Sequence, residues 1–370
     1  MRLLLSVSLI AAALAMAPVR FDREKVFRVK LTDEKQATII KDLAKAMELD
    51  FWYPDATHHV TANMTVDFRA REEDAEAIKT AMERNQMHYM PCQPQSGPSS
   101  ESSPSCTGAK GVGKQDERKT SIFMDCGIHA REWISPAFCQ WFVYQATKSY
   151  GKNKIMTKLL DQMNFYVLPV FNVDGYIWSW TKNRLWRKNR SKNENSKCVG
   201  TDLNRNFNVS WNSFPNTRNP CQDVYRGAAP ESEKETKAVS DFIRSHLPSL
   251  KAYITFHSYS QMLLFPYGYT HRLAPDHESL NKVAKIGAEA LATRYETRYI
   301  YGPIASTIYP TSGSSLDWAY DVGIKHTFAF ELRDKGKFGF LLPESQIKST
   351  CKETMLAVKF IAKYILKHAC

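Results

Sequence analysis

The segment Cys126-Gly127-Ile128-His129-Ala130-Arg131-Glu132-Trp133 sets an imidazole and a carboxylate three residues apart, just after an apolar run. Ser135 is a good helix N-cap and Pro136 a good first helical residue, so His129 and Glu132 fall on a strand-to-helix turn and can converge on one point. Alone, such a pair is a weak signal. A second histidine, His257, ends the apolar run Tyr253-Ile254-Thr255-Phe256. Two histidines and one glutamate form a common catalytic zinc set that leaves the fourth position to water; the competing reading of His257 is a hydrogen-bonded core histidine. Glu331 interrupts the apolar run Phe328-Ala329-Phe330-Glu331-Leu332, and burying a charge is costly without a partner. A metal-held water beside it would supply that partner. Two cationic, amide-rich segments, Asn183–Lys188 and Thr201–Phe207, contribute Asn204 and Arg205, which suit a terminal carboxylate because guanidinium forks bind carboxylates bidentately. Basic stretches of this kind are otherwise solvated loops.

Three regions must position these residues. Residues 25–90 read as a β-α-β-β-α-β unit: Val26–Val29 alternates like a strand, Asp33 caps a helix with apolar positions Ile39, Ile40, Leu43, Ala44 and Met47, and Phe51–Tyr53 is a short strand. A strand over Thr61–Phe68, a helix over Glu72–Asn85 and a last strand from Met87 complete it. Residues 91–118 are dominated by Pro, Ser, Gly and Gln without periodicity, the composition of a linker that lacks regular structure. After Thr120, strand candidates Ser121–Met124, Asn164–Phe171, Ala252–His257 and His326–Glu331 alternate with helical segments. That alternation implies a three-layer α/β/α domain around a mixed, mostly parallel sheet, with ligands at strand ends.

Met1-Arg2 precedes an apolar run from Leu3 to Leu14 and a small-x-small pattern at Ala13-Leu14-Ala15, which reads as a secretory signal peptide over residues 1–15. No other stretch approaches the ~18 apolar residues of a membrane span, so no stable membrane insertion is expected. Secretion makes the eight cysteines disulfide candidates: Cys92, Cys106, Cys126, Cys139, Cys198, Cys221, Cys351 and Cys370. Their pairing is open at this point. N-x-S/T sequons stand at Asn63, Asn189 and Asn208. A net charge of +12, with Lys348, Lys352, Lys359, Lys363 and Lys367 on one terminal helical stretch, suits either a solvated face or a heparin-like polyanion. No nucleic-acid motif is present in the sequence.

The motifs HAREW, NRLWRKNRS, TDLNRNF, ITFHSYSQMLLFPYG and FAFELRDKGKFGFLLP, in this order, resemble the zinc metallocarboxypeptidases of the A/B (funnelin) family. The resemblance covers residues 16–90, as a ferredoxin-like activation domain, and residues 119–370, as the catalytic domain. It implies one zinc ion held by His129, Glu132 and His257, with Asp202 orienting His129. It also implies Glu331 as the base for zinc-activated water, Arg187 polarising the scissile carbonyl, and Asn204, Arg205 and Tyr309 holding a peptide's terminal carboxylate. Arg131 resembles an auxiliary substrate contact. Leu316, at the base of the side-chain pocket, and the small Ala329 imply a preference for aromatic and aliphatic C-terminal residues of peptides and proteins. Cys126–Cys139 and Cys198–Cys221 match family disulfides.

Residues 91–118 depart from the family, whose members have there a connecting helix, the activation cleavage site, the enzyme's first helix and an edge hairpin of the sheet. Loss of that hairpin leaves the strand at Asn164–Phe171 as an open edge, prone to aggregation. Reduced stability relative to complete relatives is expected. A non-enzymatic secreted polyanion-binding protein, or a chain that folds poorly, is accordingly the competing reading to an active carboxypeptidase.

Overall fold

In the computed structural model, which describes residues 25–54, 56–92, 110–112, 119–194, 196–214 and 217–368, the first unit has the expected order. It runs β1 (Lys25–Lys30), α1 (Glu34–Ala46), β2 (Asp50–Tyr53), β3 (Thr65–Ala70), α2 (Glu72–Arg84) and β4 (His88–Cys92). The strands form one antiparallel sheet in the order β2-β3-β1-β4. The Asp33 side chain accepts from the Gln36 N–H and so caps α1. Phe27, Val29, Ile40, Val66, Phe68, Ile78 and Met82 form the core between the two helices and the sheet. β4 reaches Cys92, two residues past the expected boundary; as an edge strand it tolerates Pro91, which has no N–H to give.

The second unit comprises β5 (Lys110–Val112), β6 (Thr120–Cys126), α3 (Ile134–Ser149), α4 (Lys154–Gln162), β7 (Met163–Leu168) and α5 (Val173–Thr181). It continues through α6 (Lys234–His246), β8 (Leu250–Ser258), β9 (Met262–Phe265), α7 (His277–Tyr295) and β10 (Ile300–Pro303). It ends with α8 (Ile304–Thr307), α9 (Ser315–Asp321), β11 (His326–Leu332) and α10 (Ile347–His368). The mixed sheet is ordered β10-β9-β11-β8-β6-β7-β5, with β11, β8, β6 and β7 parallel in the centre. Side chains alternate across it. Ile122, Met124, Ile254, Phe256, Phe328 and Phe330 pack under α3, α7 and α10. Phe123, Tyr253 and Ala329 face the opposite layer, with Val239 and Ile243 of α6 and Leu316 and Trp318 of α9. By the same period of two, Asp125, Thr255, His257 and Glu331 belong to that second face. The disulfides are Cys126–Cys139, joining β6 to α3, and Cys198–Cys221, with Cα separations of 6.2 and 5.0 Å. Cys351 is a buried free thiol, and burial pushes it up to about 12, which leaves it unreactive. The signal peptide, Cys106 and Cys370 lie outside the described residues.

Two expectations need correction. Residues 91–118 were expected to contain no strand and to leave the edge of the sheet open. Instead Lys110, Gly111 and Val112 pair antiparallel with Val167, Tyr166 and Phe165. Composition argues about side-chain burial, whereas a strand edge offers unpaired N–H and C=O groups that any backbone can satisfy. Ser135 was expected to cap a helix, but α3 already begins at Ile134 and takes no side-chain cap. The Ser135 hydroxyl instead donates to the Phe256 carbonyl and accepts from the Gly127 N–H. Pinning the β6–α3 turn to β8 satisfies three polar groups that would otherwise be buried unpaired.

Candidate metal centre and active-site cleft

His129 and Glu132 occupy the turn that leaves β6, and His257 stands near the C-terminal end of β8, its parallel neighbour. At the start of that turn Gly127 has φ +70°, and a Cβ there would come within 2.8 Å of the Pro136 ring, so glycine alone lets the chain reverse this tightly. His129 Nδ1 is 2.8 Å from Glu132 Oε1, His257 Nδ1 is 3.1 Å from Glu132 Oε2, and the two Nδ1 atoms are 3.2 Å apart. All three side chains are buried. On the far side of each ring, His129 Nε2 lies 3.1 Å from Asp202 Oδ1 and His257 Nε2 lies 3.2 Å from Thr255 Oγ1. With Nε2–H donated outward in both rings, two imidazole lone pairs and a carboxylate converge on one point. Three acceptors facing each other repel unless a cation sits among them, and this donor set is one that zinc takes. Burial pushes the Glu132 carboxyl up, but the facing His129 and His257 imidazoles hold it well below the ordinary carboxylate range. The point is therefore built for positive charge.

Asp202 links this centre to the next group. Its Oδ2 accepts from Arg187 Nε at 2.9 Å, with the Arg187 fork also at 2.8 Å. Burial opposes the Asp202 charge, but Arg187, His129 and Arg205 hold its carboxyl well below its usual range. One buried carboxylate thus orients both a ligand imidazole and a guanidinium bordering the same cleft. Asn204 and Arg205 follow on a short 3₁₀ turn capped by Asp202, and Asn204 Oδ1 accepts from the Ser315 N–H at the start of α9. Gly313, at φ +67°, packs directly over the Arg205 backbone, where a Cβ would stand 2.2 Å from its carbonyl oxygen. A cleft is lined by His129, Glu132, His257, Arg187, Asn204, Arg205, Tyr309 and Glu331, with Leu264, Ile304, Ile308, Leu316 and Ala329 as its apolar wall. Glu331 lies on β11 directly opposite His257 in the parallel register and is half-buried. The expected ligand, base and clamp residues are therefore gathered in one place.

Arg131 is the exception. It is fully buried and does not line the cleft. Its guanidinium donates to Asp50 of the first unit at 2.9 Å, to Asp223 at 3.2 Å and to the Phe51 carbonyl at 3.3 Å, and it lies over the Phe340 ring. The first unit covers the cleft at further points. Trp52 packs on Phe340, Tyr259 donates to Asp67 at 2.7 Å, and the His59 ring stacks on Tyr309 with centroids 4.5 Å apart. In the full chain the first unit therefore occupies Arg131 and stacks on Tyr309.

Burial raises Asp50, but Arg131 and Arg69 outweigh it and leave its carboxyl below the ordinary 3.8. A carboxyl depressed by folding contributes its full stability above its unfolded pKa and loses it as pH falls through the folded value. Asp50→Asn is thus expected to destabilise the full chain by ~1–3 kcal/mol at pH 7, since Arg131 loses a charged partner while keeping Asp223. The difference should shrink below about pH 4. Denaturant unfolding at both pH values checks this, and a variant as stable as the unsubstituted chain at pH 7 would refute it.

Sequence reasoning missed Asp50, Trp52 and His59 as cleft-covering groups, and Thr255 beside His257. The available signals were an acid next to the aromatic run Phe51-Trp52-Tyr53, and the spacing of two that places Thr255 and His257 on one strand face.

Comparison with known proteins accords with this geometry. The zinc carboxypeptidase family profile matches residues 78–357, and the carboxypeptidase activation peptide profile matches residues 27–91. The chain is 67% identical to human mast cell carboxypeptidase A, with all of both chains covered; that alignment runs over 417 positions where this chain has 370 residues, so the relative has segments that this chain lacks. It is 48% identical to bovine carboxypeptidase B over 94% of each chain. The crystal structure of thrombin activatable fibrinolysis inhibitor superposes with a TM-score of 0.86 at 37% identity, over 94% of this chain and all of that one. The buried His-Glu-His centre, the preceding four-stranded unit that covers it and the matches to both profiles agree: the chain belongs to the zinc carboxypeptidase family and carries that family's activation peptide ahead of the enzyme domain.

Proposed function

We propose that this chain is the precursor of a secreted carboxypeptidase that releases aromatic or aliphatic residues from the C-termini of peptides and proteins. The observation that carries the reading is the junction of three features in one cleft: the metal centre, the Asn204–Arg205 pair and an apolar wall that includes Leu316 and Ala329. When bound, zinc supplies Lewis acidity and lowers the pKa of a water it holds. Glu331 takes the proton of the attacking water and delivers it to the leaving amine. Arg187, fixed by Asp202, donates to the scissile carbonyl oxygen as negative charge develops on it. Asn204, Arg205 and Tyr309 hold the terminal carboxylate, which confines cleavage to the last peptide bond. Removal of the first unit frees Arg131 from Asp50 and Tyr309 from His59, and Arg131 then serves as an auxiliary substrate contact.

The test is hydrolysis of matched peptides ending in Phe, Leu or Lys, before and after limited proteolysis that removes the first unit. Activity should appear on proteolysis and favour Phe and Leu. Efficient release of Lys would sink the specificity, and no release from any peptide would favour the non-enzymatic reading. Leu316→Asp is expected to shift preference toward Lys and Arg and to weaken Phe release by ~10-fold or more, since a charge in the pocket must otherwise be desolvated against an apolar side chain.

A heparin-like polyanion is a further proposed partner, supported by Lys348, Lys363 and Lys367, which are exposed on or beside the polar face of α10. Among the sequons, Asn63 and Asn208 are exposed, whereas Asn189 is buried and its amide donates to Glu233 at 2.7 Å. Glycans are expected on the first two alone; peptide mapping that found one on Asn189 would contradict this. Among the described residues, no helix is long and apolar enough to cross a membrane.

A further inference from the structure

We infer that Thr255 and Asp125 are positioning residues for the zinc ligand His257, acting on it as Asp202 acts on His129. The inference rests on the ligand set read above. Thr255 and His257 are two residues apart on β8 and so project to the same face. Asp125 on β6 is the direct cross-strand partner of Thr255 in the parallel register. The strand pairing therefore lines up a carboxylate, a hydroxyl and an imidazole in sequence. The Thr255 hydroxyl donates to Asp125 Oδ1 at 2.9 Å, and its oxygen lies 3.2 Å from His257 Nε2.

The donor count runs one way along this chain. Asp125 accepts; the one hydroxyl proton of Thr255 goes to it; the hydroxyl oxygen is then left to accept, which requires His257 to carry its proton on Nε2. That tautomer leaves the Nδ1 lone pair on the side of Glu132 and His129, where the metal belongs. Asp125, Thr255 and His257 are 0, 1 and 3% exposed, so bulk water competes little for either link. Threonine suits the middle position because its branched Cβ restricts χ1 and fixes the direction of the hydroxyl. The two ligand histidines are thus held by different devices: His129 by a carboxylate directly, His257 by a carboxylate through a hydroxyl. A fully buried aspartate outside the ligand set, costly by itself, gains its reason from this relay.

The test uses the full chain, stripped of metal and titrated with zinc against a colorimetric chelator. Thr255→Val keeps the side-chain shape and removes the hydroxyl; Thr255→Ser keeps the hydroxyl and removes a methyl. Thr255→Val should weaken zinc binding by ~10–100-fold, the usual effect of losing a group that supports a metal-bound histidine. Thr255→Ser should bind zinc nearly as the unsubstituted chain does, and Asp125→Asn should fall between them. Unchanged affinity in Thr255→Val, or equal weakening in Val and Ser variants, overturns the proposal. If Thr255→Val does not fold, Asp125→Asn decides: zinc affinity equal to that of the unsubstituted chain overturns it, and weakening with Thr255→Ser unaffected supports it. His257→Ala separates the levels. Zinc retained at full affinity there refutes the ligand reading and the relay together, whereas zinc lost there but unaffected by Thr255→Val refutes the relay alone.

Discussion

Glu331→Gln is expected to leave zinc bound and to lower kcat by ~10²–10⁴-fold in the enzyme freed of its first unit. Glutamine reproduces the volume and the hydrogen-bonding reach of glutamate but cannot accept the proton of the attacking water. Glu331 stands across the strand register from His257 and borders the cleft, yet it is outside the cluster whose donor atoms converge. Loss of its charge should therefore spare the metal. Zinc content by elemental analysis and kcat on a Phe-terminated peptide, measured on the same preparation, check the two halves separately. Full turnover would remove Glu331 from the mechanism, and loss of zinc would make it a ligand.

The second large effect is expected from His257→Ala. Removal of one of three donors should reduce zinc affinity by more than the ~10–100-fold that follows loss of a supporting residue. The fold itself should survive, because two disulfides and a continuous core under α3, α7 and α10 hold the sheet independently of the metal. Zinc that binds only the folded chain stabilises it by ~4 kcal/mol when present at a thousand times its Kd. Unfolding of the unsubstituted chain should thus respond to a chelator, and unfolding of His257→Ala should not. A chelator response of equal size in both would show that His257 holds no metal.

The sequence was informative where a local physical rule decides the outcome. Alternation in Val26–Val29 and the Asp33 cap made the first unit legible, and the central strands β6, β7, β8 and β11 are apolar runs long enough to stand out. β9 and β10 went unread because Met262–Phe265 is apolar throughout with no alternation and Ile300–Pro303 ends in Gly-Pro, which reads as a turn. α5 went unread because its aromatic run Tyr176-Ile177-Trp178-Ser179-Trp180 follows neither period cleanly. Ser135 shows the limit of local rules: its type suited a helix cap, but the carbonyl of Phe256, 121 residues later, offered a hydrogen bond that only the assembled sheet brings near.

For the site, residue chemistry and order in the chain determined which groups could act. His129, Glu132, His257 and Glu331 are identifiable because carboxylates and imidazoles beside apolar strands are costly without a function. Tertiary structure alone decided that His129 and His257, 128 residues apart, turn their Nδ1 atoms to one point. It alone placed Asp50 on Arg131 and His59 on Tyr309, which converts a cleft into a covered one. It also gave the edge of β7 a partner in Lys110–Val112, despite a composition that argued against any strand. The reason is common to all three: side-chain type is set locally, but which groups meet depends on sheet register and on the docking of one unit against another, and neither is encoded within a window of sequence.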